Sequence, residues 1–88
     1  MNSHLDPDFR KAFAQLPASV RAQSRVAYRL FQTNPYHPSL QFKDIAPSIY
    51  SVRIGVHYRA LGTRMREDEI VWFWIGSHSE YDRLIKNL

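Results

Sequence analysis

Two arginines are the side chains of this sequence best suited to binding a phosphate. Arg53 and Arg59 flank a short segment that contains Gly55, and residue alternation places them on adjacent strands. If both faced the open side of a sheet, they would form a paired guanidinium clamp, because the guanidinium fork matches phosphate oxygens and stays charged. The alternative, which the sequence alone favours, is a pair that forms salt bridges or lies in solvent.

His78 and Tyr81 follow the most apolar segment of the sequence. His78 comes after Gly76 and Ser77, where a loop exposes side chains beside a sheet, so it would serve as a general acid or base near neutral pH. Tyr81, one helical turn further on, would stack on a base or donate a proton. Equally favoured alternatives are a histidine that caps the last helix and a tyrosine in the core.

No metal or nucleophile motif is recognisable. The histidines show no His-x-x-x-His or His-Glu-x-x-His spacing, there is no glycine-rich phosphate loop, and nothing marks a serine as activated. We therefore expect neither a metal nor another cofactor. Lys43 and His37 would contact a phosphate backbone if they faced one, although a lone lysine on an edge segment is usually solvated.

The elements that must position these residues begin with three strands, which follow one another in sequence and are predicted to pair as a meander. Tyr50 to Ile54 alternates, Tyr58 to Gly62 resumes the alternation after a short glycine-containing loop, and a second turn is centred on residues 66–68. The segment Ile70 to Ile75 is apolar throughout, which predicts a strand covered on both faces. Its aromatic residues are therefore assigned to the core and not to a base-stacking platform.

Helices are predicted before and after these strands in the sequence. Asp6-Pro7-Asp8 starts a helix that Pro17 ends, and a second helix runs from about Ala18 to Asn34, so the two should form a hairpin lying on the sheet. The second helix carries a stripe of arginines four residues apart, interpreted as a solvated face. A short C-terminal helix spans 79–88. The stripe comprises Arg21, Arg25 and Arg29.

Two further segments are short and weakly patterned. Met1 to Leu5 is interpreted as frayed or as a brief edge strand, and Leu40 to Ile45 as a short edge strand or extended segment. The predicted fold class is therefore α+β: an N-terminal helical hairpin packed on a small antiparallel sheet of three to four strands, with a short C-terminal helix, in one domain over residues 1–88.

Composition sets the remaining limits. The 88 residues are 44% hydrophobic and 14% aromatic, which is typical of a globular domain. There is no cysteine, so disulfides and thiol catalysis are excluded, and we expect a cytoplasmic protein with no membrane span or secretory signal. A net charge of +4 permits nucleic-acid binding without requiring it.

The order of elements and three motifs resemble the RelE/ParE superfamily of type II toxins over residues 9–85. The ending is most similar to the HigB-like branch. The motifs are Tyr50-Ser51-Val52-Arg53-Ile54, Tyr58-Arg59-Ala60-Leu61 and Ile75-Gly76-Ser77-His78-Ser79-Glu80-Tyr81-Asp82.

This resemblance implies a two-layer fold, a cognate antitoxin and, for most RelE- and HigB-like members, metal-independent cleavage of mRNA on the ribosome. The antitoxin is expected to lay an amphipathic helix over the helical hairpin or the sheet edge. Arg59 matches the family's phosphate-stabilising arginine, and His78 lies where several members have an acid, a base or a basic residue. The candidate catalytic residues are Arg53, Arg59, His78 and Tyr81, and the candidate RNA-binding residues are Lys43 and His57.

The sequence also departs from the family pattern. Ser51 stands where RelE proper has a second lysine on the first strand, and Tyr81 lies near the usual C-terminal tyrosine and not at it. ParE-like relatives that poison DNA gyrase share the fold without a basic triad. Two alternatives to an mRNA endoribonuclease therefore stay open: a non-enzymatic gyrase inhibitor, and a degenerate toxin that retains only antitoxin binding.

Overall fold

The structure is a computed structural model that describes residues 1–87, and its centre is a five-stranded sheet. The strands are β1 (Asn2–Leu5), β2 (Lys43–Ala46), β3 (Ile49–Ile54), β4 (Tyr58–Arg66) and β5 (Glu69–Ser77), in the spatial order β1-β5-β4-β3-β2. β2 to β5 pair in an antiparallel meander, whereas β1 runs parallel to β5. The three predicted strands and both turns between them are present.

The predicted strand count of three to four is too low, because residues 2–5 form a fifth strand. Their polar side chains carry no strong strand signal, and β1 is held by backbone pairing with Glu69–Trp72. Short, polar strands suit a sheet edge, where one side of the backbone faces solvent. The edge-strand interpretation of this segment is the one that the structure supports.

Three helices and one 3-10 turn complete the fold: α1 (Pro7–Ala14), α2 (Ala18–Thr33), the turn Pro38–Leu40, and α3 (His78–Ile85). Asp6 caps α1, since its carboxylate accepts a hydrogen bond from the backbone N–H of Phe9 at 2.8 Å. None of the described helices is long and apolar enough to cross a membrane.

The predicted N-terminal helical hairpin is not clearly formed. A strand precedes the helices, α1 packs mainly on β5 and α2 on β3, and a cavity lies between the two helices and the sheet. Apolar side chains on each helix gain more burial against the broad apolar sheet than against the other helix, because α1 is only eight residues long.

The core lies between the sheet and α1 and α2. Phe31 is central to it and makes edge-to-face contacts with the rings of Phe42 and Trp72, at centroid distances of 5.1 and 5.4 Å. In β5 a register shift leaves Phe73 without a direct partner, so Trp72 faces Gly62 and Trp74 faces Leu61. Trp72 is buried, whereas Phe73 and Trp74 are half-buried, so only the helix-covered face of this strand is fully enclosed.

Gly62 is the point of closest approach between β4 and the core. A Cβ atom there would lie 2.7 Å from Cε3 of Trp72 and 2.9 Å from Cγ1 of Ile70. We expect Gly62→Ala to lower the free energy of unfolding by about 1–3 kcal/mol through overpacking. Urea denaturation measures this. Gly55→Asn is the matched control, because Asn tolerates the positive φ of 58° found there, and equal losses for both variants would contradict the prediction.

Candidate functional site

The sheet face opposite α1 and α2 carries a buried arginine. Arg59 is the second residue of β4, with only 7% of its surface exposed. Its Nη2 donates a hydrogen bond to Oε1 of Gln41 at 2.7 Å, and its guanidinium carbon lies 5.3 Å from the centroid of the Tyr81 ring. This ring contact is in the range of a cation–π interaction, which contributes more when it is desolvated.

The remaining donors of Arg59 have no partner among residues 1–87. Nε and Nη1 are both buried and unbonded, and the only ion pairs in this part of the chain are His4–Glu69 and His78–Asp82. A buried guanidinium without a carboxylate is costly, because its lost hydration is not replaced. The salt-bridge alternative for Arg59 is therefore wrong, and its two unbonded donors have the chemistry that binds an anion.

Tyr81 anchors α3 to this face. The side chain is 4% exposed, and its hydroxyl donates a hydrogen bond to Oγ of Ser51 at 3.4 Å. Ser51 is fully buried on β3. The expectation of a tyrosine in the core therefore holds, but the core in question is the small one under α3, where the ring also covers Arg59.

His78 is the first residue of α3 and is exposed at the N-terminal end of this helix. Its backbone N–H donates to the carbonyl of His57 at 2.6 Å, and its ring centroid lies 5.9 Å from that of Tyr81. The Nδ1 atom lies 3.1 Å from Oδ2 of Asp82, one turn further along the helix. A hydrogen bond here places a proton on Nδ1 and leaves Nε2 directed at other groups, which is the arrangement that proton transfer needs.

Residues 18–83 match the family model of the ParE-like toxin domain. The chain belongs to this family. No curated protein sequence matches this chain. This match confirms the resemblance to the RelE/ParE superfamily drawn from the motifs.

Solved structures agree with this fold. RelE from Methanococcus jannaschii, in a RelB–RelE antitoxin–toxin complex, superposes with a TM-score of 0.68 at 17% identity, over 90% of this chain and 94% of that one. A double arginine-to-alanine variant of E. coli RelE in the free state gives 0.65 at 16%, over 99% and 96%. A copper-bound toxin variant from Helicobacter pylori gives 0.58 at 23%, over 91% and 97%. At these identities the likeness shows the fold.

The toxin brings three of its four predicted catalytic residues together. Arg59 and His78 each contact the Tyr81 ring from their own element. Arg53 is paired with Arg59 in the strand register, but its Nε donates to the carbonyl of Gly55 at 2.8 Å, and its side chain lines a groove beside α2. The predicted guanidinium clamp is therefore not formed in this conformation.

The two predicted RNA-binding residues lie at the border of the site. His57, in the β3–β4 loop, is exposed and lines a cleft with His78 and Asp82. Lys43 is exposed on edge strand β2, opposite Ser51. His37 lies away from these residues and caps the 3-10 turn through its own ring nitrogen, which accepts from the N–H of Ser39.

Sequence reasoning missed three residues that support the site. Gln41 holds Nη2 of Arg59 from a left-handed backbone conformation, with a φ of 46°. Ser51 was noted only for the lysine it replaces, yet it receives the Tyr81 hydroxyl. Asp82 pairs with His78; the predicted helix began one residue too late, at Ser79, to include both, and a start at His78 would have revealed their four-residue spacing.

The helix that carries His78 and Tyr81 is started by a capping box. Ser77 Oγ accepts from the N–H of Glu80 at 3.2 Å, and the Glu80 carboxylate accepts from the N–H of Ser77 at 2.9 Å. This backbone hydrogen bond, followed by one from the Ser77 side chain, holds the pKa of Glu80 below its ordinary value. The Ser-x-x-Glu spacing is a helix start that can be recognised in sequence.

The lowered pKa of Glu80 predicts an acid-sensitive α3. A carboxylate with a depressed pKa in the folded state stabilises that state above its unfolded pKa, about 4.3 for Glu, and the stabilisation is lost as the pH falls through the folded value. In Glu80→Gln, the stability of α3 should therefore fall less as the pH is lowered. Amide hydrogen exchange of residues 81–85 measures this stability. Asp8→Asn on α1 is the control. An unchanged acid limb in Glu80→Gln would contradict the assignment.

Proposed function

We propose that this toxin is a ribosome-dependent, metal-independent mRNA endoribonuclease of the HigB-like branch that inhibits translation. The observation that supports this most directly is the buried Arg59, whose Nε and Nη1 have no partner among the described residues. A phosphate is the anion whose oxygens best match a guanidinium fork. Beside it stand a tyrosine ring and a histidine, the groups needed to hold a nucleotide and to move a proton.

In the proposed reaction the mRNA 2′-hydroxyl attacks the adjacent phosphorus. Its proton leaves as the new P–O bond forms, the bond from phosphorus to the 5′-oxygen breaks, and the 5′-oxygen takes up a proton. The products are a 2′,3′-cyclic phosphate and a 5′-hydroxyl. Arg59 stabilises the charge that grows on the non-bridging oxygens, and His78 transfers one of the two protons through Nε2.

Access to Arg59 requires a small rearrangement in this proposal. The Nε and Nη1 atoms have almost no exposed surface, with Tyr81 on one side and Gln41 on another. Gln41 is exposed and belongs to a loop, so its side chain is the easier of the two to displace. If the Gln41 side chain moves away, Nη2 of Arg59 loses its hydrogen bond to Gln41 as well, and a bound phosphate would then replace that bond.

Arg53 and Lys43 have a supporting role in this scheme. Arg53 is bonded only through Nε to a loop carbonyl, so its terminal nitrogens are available to an RNA phosphate next to the scissile one. Lys43, exposed on the neighbouring edge strand, adds a positive charge to this border, and His57, beside His78, adds a polar ring. Such contacts increase affinity for RNA in a salt-dependent manner without specifying sequence.

A cognate antitoxin is the second part of the proposal. The structural relative from M. jannaschii is a RelE bound to RelB, and this chain has a net charge of +4 that an acidic partner segment would neutralise. Affinity purification from the native host should recover a small neighbour-encoded protein. Recovery of the toxin alone would count against this part of the proposal.

Gyrase inhibition is the alternative, favoured by the ParE-like family model and by the enclosed position of Arg59.

Brief induction of the chain in a bacterium, followed by primer extension on an abundant mRNA, separates the two functions. New 5′ ends that vanish when translation is blocked would support the nuclease. Growth arrest with intact mRNA and double-strand DNA breaks would support gyrase inhibition, and no arrest would support a degenerate toxin.

A further inference from the structure

A cavity of about 330 Å³ lies between α1, α2 and the sheet, on the side opposite Arg59. Its walls are almost wholly apolar and rich in aromatic rings, among them Phe9, Phe13, Tyr28 and Trp72. Small-molecule sites begin at about 300 Å³. The size and the lining therefore suit a small molecule with an apolar, aromatic body.

One residue that lines this cavity also carries a buried polar group without a partner. Trp72 is 3% exposed, and its indole Nε1–H is buried without a hydrogen bond among the described residues. Buried Trp N–H groups usually find an acceptor. An aromatic ligand in this cavity would gain edge-to-face contacts with the surrounding aromatic side chains.

Two exposed arginines stand at the rim of the same cavity. Arg25 and Arg29 both line it, are one turn apart on α2, and form no ion pair within residues 1–87. The guanidinium of Arg25 lies 5.5 Å from the centroid of the Phe13 ring, so it is held against the entrance. Arg21, the third member of the stripe, does not line the cavity and donates instead to the carbonyl of Leu16.

We propose that this cavity is a binding site for a small aromatic carboxylic acid. The ring enters between α1 and α2, and the carboxylate stays at the rim between Arg25 and Arg29, where a planar anion suits two guanidinium forks. The interpretation of the arginine stripe as merely solvated is thereby replaced for two of its three members. The inference does not depend on the proposed nuclease function, because none of its residues belongs to the Arg59 site.

Titration with 1-naphthaleneacetate, observed by ¹H–¹⁵N NMR, tests the proposal directly. Trp74→Phe leaves Trp72 as the source of the one indole N–H signal and so assigns it. We expect a saturable shift of that signal with 1-naphthaleneacetate and an affinity about fivefold lower for the neutral 1-naphthaleneacetamide, the loss typical of an exposed ion pair. Arg25→Gln and Arg29→Gln should each reduce this preference for the acid, and Arg21→Gln should leave it unchanged.

A cavity-filling variant tests the location. Ala27 is half-buried and lines the cavity, so Ala27→Leu should abolish binding while the backbone amide spectrum remains that of a folded chain. Equal affinity for the acid and the amide, or binding that survives Ala27→Leu, would overturn the proposal. So would tighter binding of octanoate, which indicates an aliphatic ligand, or a dimer in sedimentation experiments that Ala27→Leu disrupts, which assigns the cavity to a second copy of the chain.

Discussion

Replacement of Arg59 by methionine is expected to abolish mRNA cleavage and growth inhibition while increasing the stability of the fold. Methionine fills a similar space without a charge, so the cost of burying an unpaired guanidinium disappears. The free energy of unfolding should rise by about 1 kcal/mol, since the Gln41 hydrogen bond and the Tyr81 ring already offset part of that cost. Loss of the charge-stabilising group should reduce cleavage by about 100-fold to 1000-fold.

Urea denaturation and primer extension on induced cells measure the two effects in parallel. Arg66→Met is the matched control, because Arg66 is exposed at the end of the same strand and should alter neither. Arg59→Lys keeps the charge without the fork and should recover only part of the cleavage. A stable Arg59→Met variant that still cleaves mRNA would remove Arg59 from the mechanism, whereas a destabilised one would show that the buried guanidinium is structural.

His78→Gln carries the second large expected effect. Glutamine keeps much of the size and polarity of the imidazole at the start of α3 but cannot transfer a proton, so cleavage should fall by about 100-fold or more. His57→Gln, on the same cleft, is the control and should have a much smaller effect. Asp82→Asn should reduce cleavage less than His78→Gln and more than His57→Gln, because it weakens the hydrogen bond to Nδ1 that keeps Nε2 of His78 available.

The step that His78 serves can be resolved with an RNA whose leaving 5′-oxygen is replaced by sulfur. A thiolate leaves readily without a proton, because thiols are acidic, with pKa values of about 8.5. If His78 protonates the leaving group, His78→Gln should cleave this substrate at close to the wild-type rate. A defect as large as with ordinary RNA would instead assign His78 to the removal of the 2′-hydroxyl proton, and wild-type cleavage of ordinary RNA by His78→Gln would exclude both roles.

Local pattern was sufficient for most of the elements. The apolar segment from Ile70 to Ile75 predicted β5, the glycine at 55 predicted the β3–β4 turn, and the charged residues around 67 predicted the β4–β5 turn, since each signal acts within a few residues. β1 escaped firm prediction because its stability comes from pairing with Glu69–Trp72 and not from its own side chains. The independent seating of α1 and α2 also depends on the sheet, which no helical pattern describes.

The candidate site was predictable in its residues and not in its geometry. Alternation and the Gly76-Ser77-His78 ending selected Arg59, His78 and Tyr81, which the fold does bring together. That Arg59 is enclosed and without a carboxylate follows from contacts with Gln41 and Tyr81, residues distant in sequence from β4. The predicted clamp between Arg53 and Arg59 is not formed, because Nε of Arg53 instead donates a hydrogen bond to the carbonyl of Gly55, two residues along the chain.

The parallel pairing of β1 with β5 also determines when the sheet can be completed during folding. Residues 2–5 find their partners only in residues 69–72, so a nascent chain shorter than this contains α1 but not β5, the strand on which α1 mainly packs. Such long-range closure slows folding relative to local contacts. Tyr81, which orders Arg59, comes later still. The ribosome that synthesises this chain would therefore translate nearly all of the described residues before an ordered Arg59 site existed next to that ribosome.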